Sequence, residues 1–246
     1  MQSFWVLILL IISSSLPIVA IYIWIRLAKL PLSVIQFLFA LLAGAAAFFP
    51  ALLMQDLLDI SFSTATRTAF FYQYFIRIAL SEELSRLIML FIFFWISGKI
   101  KPEKDSVKKG TLIGLIAGFG FSLLESSRHA ASGMDLSLIF FRVFTAALHG
   151  ACGSRIGAAA VLFPKNPVQA ILRILTATAI HGIYNFMVIM PNLSSVVAII
   201  IALTALITAI MSVRGSWTEE DDPAVNNEIL QQALPQALLD KTKDNQ

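Results

Sequence analysis

The chain has 246 residues, 58% of them hydrophobic and only 13% charged, with a mean hydropathy of +0.81. Soluble domains run to about 45–50% apolar and about 25% charged, so this composition excludes an ordinary soluble fold and leaves a multi-pass membrane protein. The single cysteine, Cys152, excludes a disulfide framework and any cysteine-based zinc site. Charge is segregated along the chain: residues 1–214 carry 16 Lys/Arg against 8 Asp/Glu, and residues 215–246 carry 2 against 7. The basic excess lies in short connections between apolar stretches. That is a topological signal rather than a groove for phosphates, so no nucleic-acid partner is expected.

Seven apolar stretches are long enough to cross a bilayer: near Phe4–Ile25, Pro31–Leu53, Tyr72–Ser97, Gly110–His129, Leu136–Phe163, Pro167–Met190 and Leu193–Val213. The first has no basic leader and no small-residue cleavage site, so it reads as a span and not as a signal peptide. Pro17 and Pro50 are expected to interrupt the first two spans, and Gln55–Phe71 to form an outer connection lying at the interface. Gly110, Gly114 and Gly118 repeat on one face of the fourth span, as do Gly153 and Gly157 in the fifth, while Ala43, Gly44 and Ala45–Ala47 crowd the second. Such ridges let backbones approach closely in lipid and predict that spans four and five are interior.

Nine Lys/Arg (Arg26, Lys29, Lys99, Lys101, Lys104, Lys108, Lys109, Lys165 and Arg214) fall in one set of connections. Arg67 and Arg128, with Asp56, Asp59 and Asp135, fall in the other. The positive-inside rule then puts the amino terminus outside, the Gly98–Lys109 loop inside and the carboxyl terminus in the cytoplasm. The expected architecture is an all-α polytopic helix bundle: a seven-span membrane domain over residues 1–214, then an acidic cytoplasmic tail over 215–246. The tail's Glu219–Asp222 run, with Pro223 and Pro235, reads as disordered.

Polar residues inside the spans carry the functional signal. The third span holds Glu82, Glu83 and Arg86, the fourth Glu125, the fifth His149, and the sixth His181 with Asn185 one turn on. A charge at mid-helix costs roughly 2.5–3.5 kcal/mol on insertion scales, so three unpaired glutamates would cost about as much as a domain's whole net stability. They must be paired, protonated or solvated. Counted along each helix, Glu82 lies about 15 Å, His149 about 19 Å, His181 about 14 Å and Glu125 about 6 Å from the outer end, which suggests one site in the outer half.

Structural readings stand beside the functional one. Glu82 or Glu83 can pair with Arg86 at i,i+4 or i,i+3, but Arg86 cannot neutralise both. Glu125 can pair with Arg128 or His129, His149 can bond a neighbouring backbone, and Asn185 can hold His181. Arg77, Arg128 and Arg142 read as headgroup contacts, and Cys152 as a packing residue. Carboxylate and imidazole groups withdrawn from water titrate closer to neutrality, where proton transfer is efficient, and the same groups can hold zinc with an open position for water. No H-E-x-x-H, G-x-S-x-G or P-loop occurs, and Gly118 and Gly120 do not complete a dinucleotide fingerprint because residue 123 is Leu.

The residues resemble the PrsW family of intramembrane proteases, within the wider group of CAAX-type endopeptidases. Glu82-Glu83-Leu84-Ser85-Arg86 is similar to the family's Glu-Glu-x-x-Lys/Arg motif. Gly118, Phe121 and Glu125 are similar to Gly-x-x-Phe-x-x-x-Glu, with Ser126 where Asn is usual. His149 falls at the third motif, with Gly153 where a hydroxyl residue is frequent, and His181 with Asn185 is similar to His-x-x-x-Asn. The resemblance implies a peptidase of a bacterial or archaeal cell membrane that cuts a membrane-anchored protein, an anti-sigma factor in the family's named example. It implies Glu82 or Glu83 as the base that activates water. His149 and His181 would hold that water, bind a metal such as zinc or stabilise the oxyanion, and Glu125 would be a ligand or an orienting group. Arg86 and Asn185 would support them. The layout is also similar to the multi-pass scaffold of gamma-secretase, so a catalytically silent scaffold is the second reading and a proton-coupled transporter the third.

Overall fold

A computed structural model describes residues 2–61, 66–97, 105–131, 136–189 and 194–214. Every extended element among them is helical: α1 (Gln2–Leu27), α2 (Val34–Leu57), α3 (Arg67–Phe71), a π-helical run (Tyr72–Leu80), α4 (Ser81–Ser97), α5 (Asp105–Ala131), α6 (Leu136–Leu162), α7 (Pro167–Ile189) and α8 (Ser194–Arg214). Each of the seven apolar stretches carries a helix. Among the described residues four helices are long and apolar enough to cross a membrane by themselves: Val34–Leu57, Val107–His129, Pro167–Ile189 and Ser195–Arg214. The acidic tail and its expected disorder lie outside the described residues, as does most of the Gly98–Lys109 loop.

Local chemistry sets the helix ends. At the end of α1, Lys29 takes a positive φ of 52°, and the amides of Lys29 and Leu30 turn back to the carbonyls of Arg26 and Ile25. This is a Schellman stop, with lysine where glycine is usual. Ser33 then opens α2 through a reciprocal capping box with Gln36. Asn166 caps α7 through the Gln169 amide at 3.1 Å, with Pro167 in the first helical position, where its missing N–H is harmless. Pro17 and Pro50 do not interrupt their helices as expected: α1 and α2 run on through both. Spanning helices tolerate proline because neighbouring groups take up the freed carbonyl.

The packing is inverted relative to a soluble bundle. On α8, Ala198, Ala202, Ala205 and Ala209 face inward, while Ile200, Leu203, Ile207 and Met211 face outward. Lipid solvates large aliphatic side chains as well as a protein core does, so close backbone approach decides which face is buried. The interior expected for spans four and five is found in α5 and α6. A Cβ on Gly114 would lie 2.1 Å from the Gly153 carbonyl oxygen, and one on Gly118 2.0 Å from that of His149. The other side of α5 meets α2 as closely, since a Cβ on Gly44 would lie 1.7 Å from the Ala117 oxygen. With α5 held this tightly, Glu125 near its far end is fixed relative to His149 on α6.

Gly114→Ala is expected to destabilise the folded protein by at least about 1–3 kcal/mol, because backbone, not a flexible side chain, must move. Thermal unfolding in detergent checks this against Leu38→Ala, a change at a lipid-facing residue of α2, which should leave the midpoint nearly unchanged.

Candidate active site

α4 sits between α2 and α6 and carries three charged groups inward: Glu82, Glu83 and Arg86 are all buried. Of the two pairings open to Arg86, the i,i+3 one is formed. Its Nη2 donates to Glu83 Oε1, its Nη1 to the His149 carbonyl at 3.2 Å and its Nε to the Glu82 carbonyl at 3.3 Å. The guanidinium also lies 4.8 Å from the centre of the Phe121 ring. Glu83 is thereby neutralised, and its Oε1 also accepts from His181 Nδ1 at 2.8 Å.

Glu82 is placed differently, as two adjacent helical residues must be. Its Oε1 accepts from Gln55 Nε2 at 3.0 Å. Its Oε2 is buried with no hydrogen-bond partner among the described residues and lies 3.7 Å from His181 Nε2. His149 Nε2 donates to Glu125 Oε2 at 2.9 Å, and its Nδ1 is buried with no hydrogen-bond partner among the described residues. Glu125 also meets Arg142 at 3.0 Å and His129 at 3.5 Å. The two imidazoles stand edge to face with centroids 5.0 Å apart.

A pattern follows from these bonds. Each histidine gives one N–H to a carboxylate, which sets its tautomer and leaves the other nitrogen's lone pair free. One ligand atom from each of Glu82, His149 and His181 lies within 4.8 Å of the others, all three residues buried. Glu82 and His149 each also carry a buried atom with no hydrogen-bond partner among the described residues, and a donor set of one carboxylate and two imidazoles suits a divalent ion such as zinc. The residues present therefore fit a metal. The expectation that Glu125 completes a ligand set with the histidines differs from this geometry: Glu125 is occupied by Arg142, His149 and His129, and Glu82 is the carboxylate grouped with both imidazoles.

Glu82, Glu83, Glu125, His149 and His181 thus come together from four helices. Asn185 makes no hydrogen bond to His181 among the described residues; Glu83 occupies that imidazole instead. Three participants were not expected. Gln55, expected in an outer connection, lies on α2, which extends to Leu57 and brings its amide onto Glu82. Arg142 pairs with Glu125 instead of reaching headgroups. Arg77 is tied to the Gln55 carbonyl at 3.0 Å and to Asp59 at 2.9 Å, bracing the end of α2 against the π-helical run. The usable signal is a polar residue within about two turns of an apolar stretch's outer end, Gln55 just beyond it and Arg77 and Arg142 just within. Thr145 and Tyr184, bonded at 2.9 Å, link α6 to α7 beside the histidines, and Cys152 gives its thiol hydrogen to the Ala177 carbonyl at 3.5 Å, as a packing residue would.

The chain matches the sequence profile of the PrsW family intramembrane metalloproteases over residues 32–211. It belongs to that family. No curated protein and no solved structure gives a match. The PrsW match covers every helix from α2 to α7 and nearly all of α8, so it spans all the residues of the cluster. Membership in a family of membrane-embedded peptidases, with the apolar helices already described, makes this a multi-pass membrane protein with a protease domain.

Within that PrsW domain the Glu83–Arg86 pair should be strongly coupled. Arg86→Gln leaves a buried carboxylate uncompensated and is expected to cost about 3–5 kcal/mol. Glu83→Gln added to it should recover most of that loss. A double-mutant cycle on thermal unfolding in detergent measures the coupling, and additive losses would contradict it.

Proposed function

We propose that the protein hydrolyses a peptide bond of a membrane-anchored protein, using a water held among Glu82, His149 and His181. The observation that carries this is the convergence of three buried groups, two of them with unpartnered atoms, on one point inside the bundle. A silent scaffold or a transporter gives no reason for two histidines each oriented by its own carboxylate.

In this reading Glu82 Oε2 accepts the proton of the attacking water and passes it to the departing amine. His149 and His181 position that water and the developing oxyanion. Glu83 and Glu125 hold the imidazoles in the tautomers that keep their lone pairs directed at the site, and Arg86 and Arg142 hold those two carboxylates. Gln55 leaves Glu82 one free oxygen. Glu82, His149 and His181 would also hold a zinc ion, which when bound would supply Lewis-acid activation of water and of the scissile carbonyl. With Glu82 engaged in that way, Glu83 Oε2, the other buried carboxylate oxygen without a hydrogen-bond partner among the described residues, would be the proton acceptor.

The site lies near the end of the bundle where α2 finishes, since Gln55 is two residues from Leu57, and away from the basic connections. With the amino terminus outside, as the basic residues argue, the cut falls in the outer half of the bilayer of a cell membrane. An anti-sigma factor of single-span type is then a fitting substrate. A groove of about 690 Å³ between α2 and α4 is lined by Phe39, Leu42, Ala46, Met89, Ile92 and Phe93. Met89 is two turns from Glu82 on α4, so a substrate helix lying in the groove would present its outer end to the site.

Co-expression with single-span membrane proteins tests the reading. Glu82→Gln, His149→Ala and His181→Ala are each expected to lower cleavage by about a hundredfold or more at equal protein abundance. Undiminished cleavage by His149→Ala would overturn the assignment. Elemental analysis of the purified chain separates the two chemistries: about one equivalent of zinc, lost in all three variants, marks the metal form, and an active metal-free chain marks the glutamate form. Gln55→Leu, which removes a hydrogen bond to a charged group, should lower kcat about tenfold with KM little changed.

A further inference from the structure

Two arginines that the peptidase chemistry does not use share a cavity elsewhere in the bundle. Arg155 on α6 and Arg173 on α7 line a space of about 360 Å³ together with Gln169, Leu172 and Thr176. Arg155 stands seven residues before the end of α6 and Arg173 six after the start of α7, so both lie about 10 Å in from the same end of the bundle. That is the end to which Lys165 and Arg214 belong.

Neither arginine meets a carboxylate among the described residues. Arg155 donates to the Ala151 carbonyl at 2.8 Å and to the Thr208 hydroxyl at 3.1 Å, both uncharged. Arg173 has no hydrogen-bond or ion-pair partner among the described residues. Arginine at this depth is costly unless paired, and a second like charge beside it raises that cost. An anion between the two guanidinium groups would offset that cost. The cavity's lining names the kind: two guanidinium groups and the Gln169 amide are donors suited to phosphate oxygens, while the Thr176 hydroxyl gives its hydrogen to the Leu172 carbonyl at 2.7 Å. The wall beside them is apolar, with Ile171, Leu172 and Leu175 exposed along α7.

We propose that this cavity binds the phosphate of an anionic membrane phospholipid, with Arg155 and Arg173 as paired donors and an acyl chain along the exposed face of α7. The chain's own acidic run, Glu219–Asp222, begins five residues after α8 and supplies the right charge, but a peptide entering at this depth would have to bury its backbone polar groups as well. A lipid brings the phosphate and covers the apolar wall together. The proposal stands independently of the peptidase mechanism.

Native mass spectrometry of the full chain in detergent, stripped of lipid and titrated with phosphatidylglycerol or phosphatidylcholine, tests it. Wild type should retain phosphatidylglycerol in preference to phosphatidylcholine. Arg173→Gln should weaken that retention about fivefold, and Arg155→Gln with Arg173→Gln more than additively in fold terms, since each surface-level charge is worth roughly that factor. Arg173→Gln breaks no described bond, so its folding is not at issue. Equal retention by wild type and Arg173→Gln, or no preference between the lipids, would overturn the site. Displacement of phosphatidylglycerol by millimolar inorganic phosphate would assign the cavity to the free ion instead. A gain in retention in E219Q/E220Q/D221N/D222N would assign it to the tail.

Discussion

A guanidinium with no access to solvent organises the polar half of this molecule. Arg86 bonds the Glu83 carboxylate, the Glu82 backbone and the His149 backbone, and rests against the Phe121 ring. It thereby ties α4 to α5 and α6 through one side chain. A charge so placed is expensive in hydrocarbon, and the expense is offset only if each partner is present in the right position. Glu83 in turn holds His181, which extends the same constraint to α7. The result is a polar core whose members specify one another's positions, inside a bundle whose apolar contacts are individually permissive.

The glycine seams serve this core. Helices α5 and α6 approach until backbone meets backbone at Gly110, Gly114, Gly118, Gly153 and Gly157. Tight contact at these points limits sliding between the helices that carry Glu125 and His149, whose side chains must meet at 2.9 Å. At Gly182, beside His181, it is a side chain that comes close: the Phe75 ring fills the space a Cβ would need. Large residues are sent outward to lipid, so the bundle is specified by where it is small.

Much of this was legible in the sequence, because membrane burial makes polar residues conspicuous. Glu82, Glu83, Glu125, His149 and His181 stood out against apolar surroundings, and the glycine spacing marked α5 and α6 as interior. Less legible were residues near helix ends. Gln55 and Arg142 sit where an apolar run gives way to polar chain, and there a side chain can equally face water, headgroups or the interior. Which carboxylate joins the two histidines was also hidden. It depends on the rotational setting of α4, and that setting is altered by the π-helical run, which no hydrophobic period reveals. Pro50 misled for a related reason: its effect depends on what neighbouring helices offer the freed carbonyl.

The π-helical run from Tyr72 to Leu80 has a consequence for how this lineage is compared with its relatives. A π segment accommodates one more residue than an α-helix in the same rise, and such segments concentrate at functional sites. Ser81 sits at its end, with its hydroxyl on the carbonyls of Arg77 and Ile78. A relative whose helix is purely α here would keep the register of the upstream chain by lacking one residue between Phe71 and Ser81; with that residue retained, the upstream chain would be rotated by about 100° relative to the glutamates. An alignment that closes such a gap by shifting the Glu-Glu motif would pair Glu82 of this chain with the wrong acid. The gap belongs before Ser81, and its presence or absence would sort relatives by helix geometry where composition cannot.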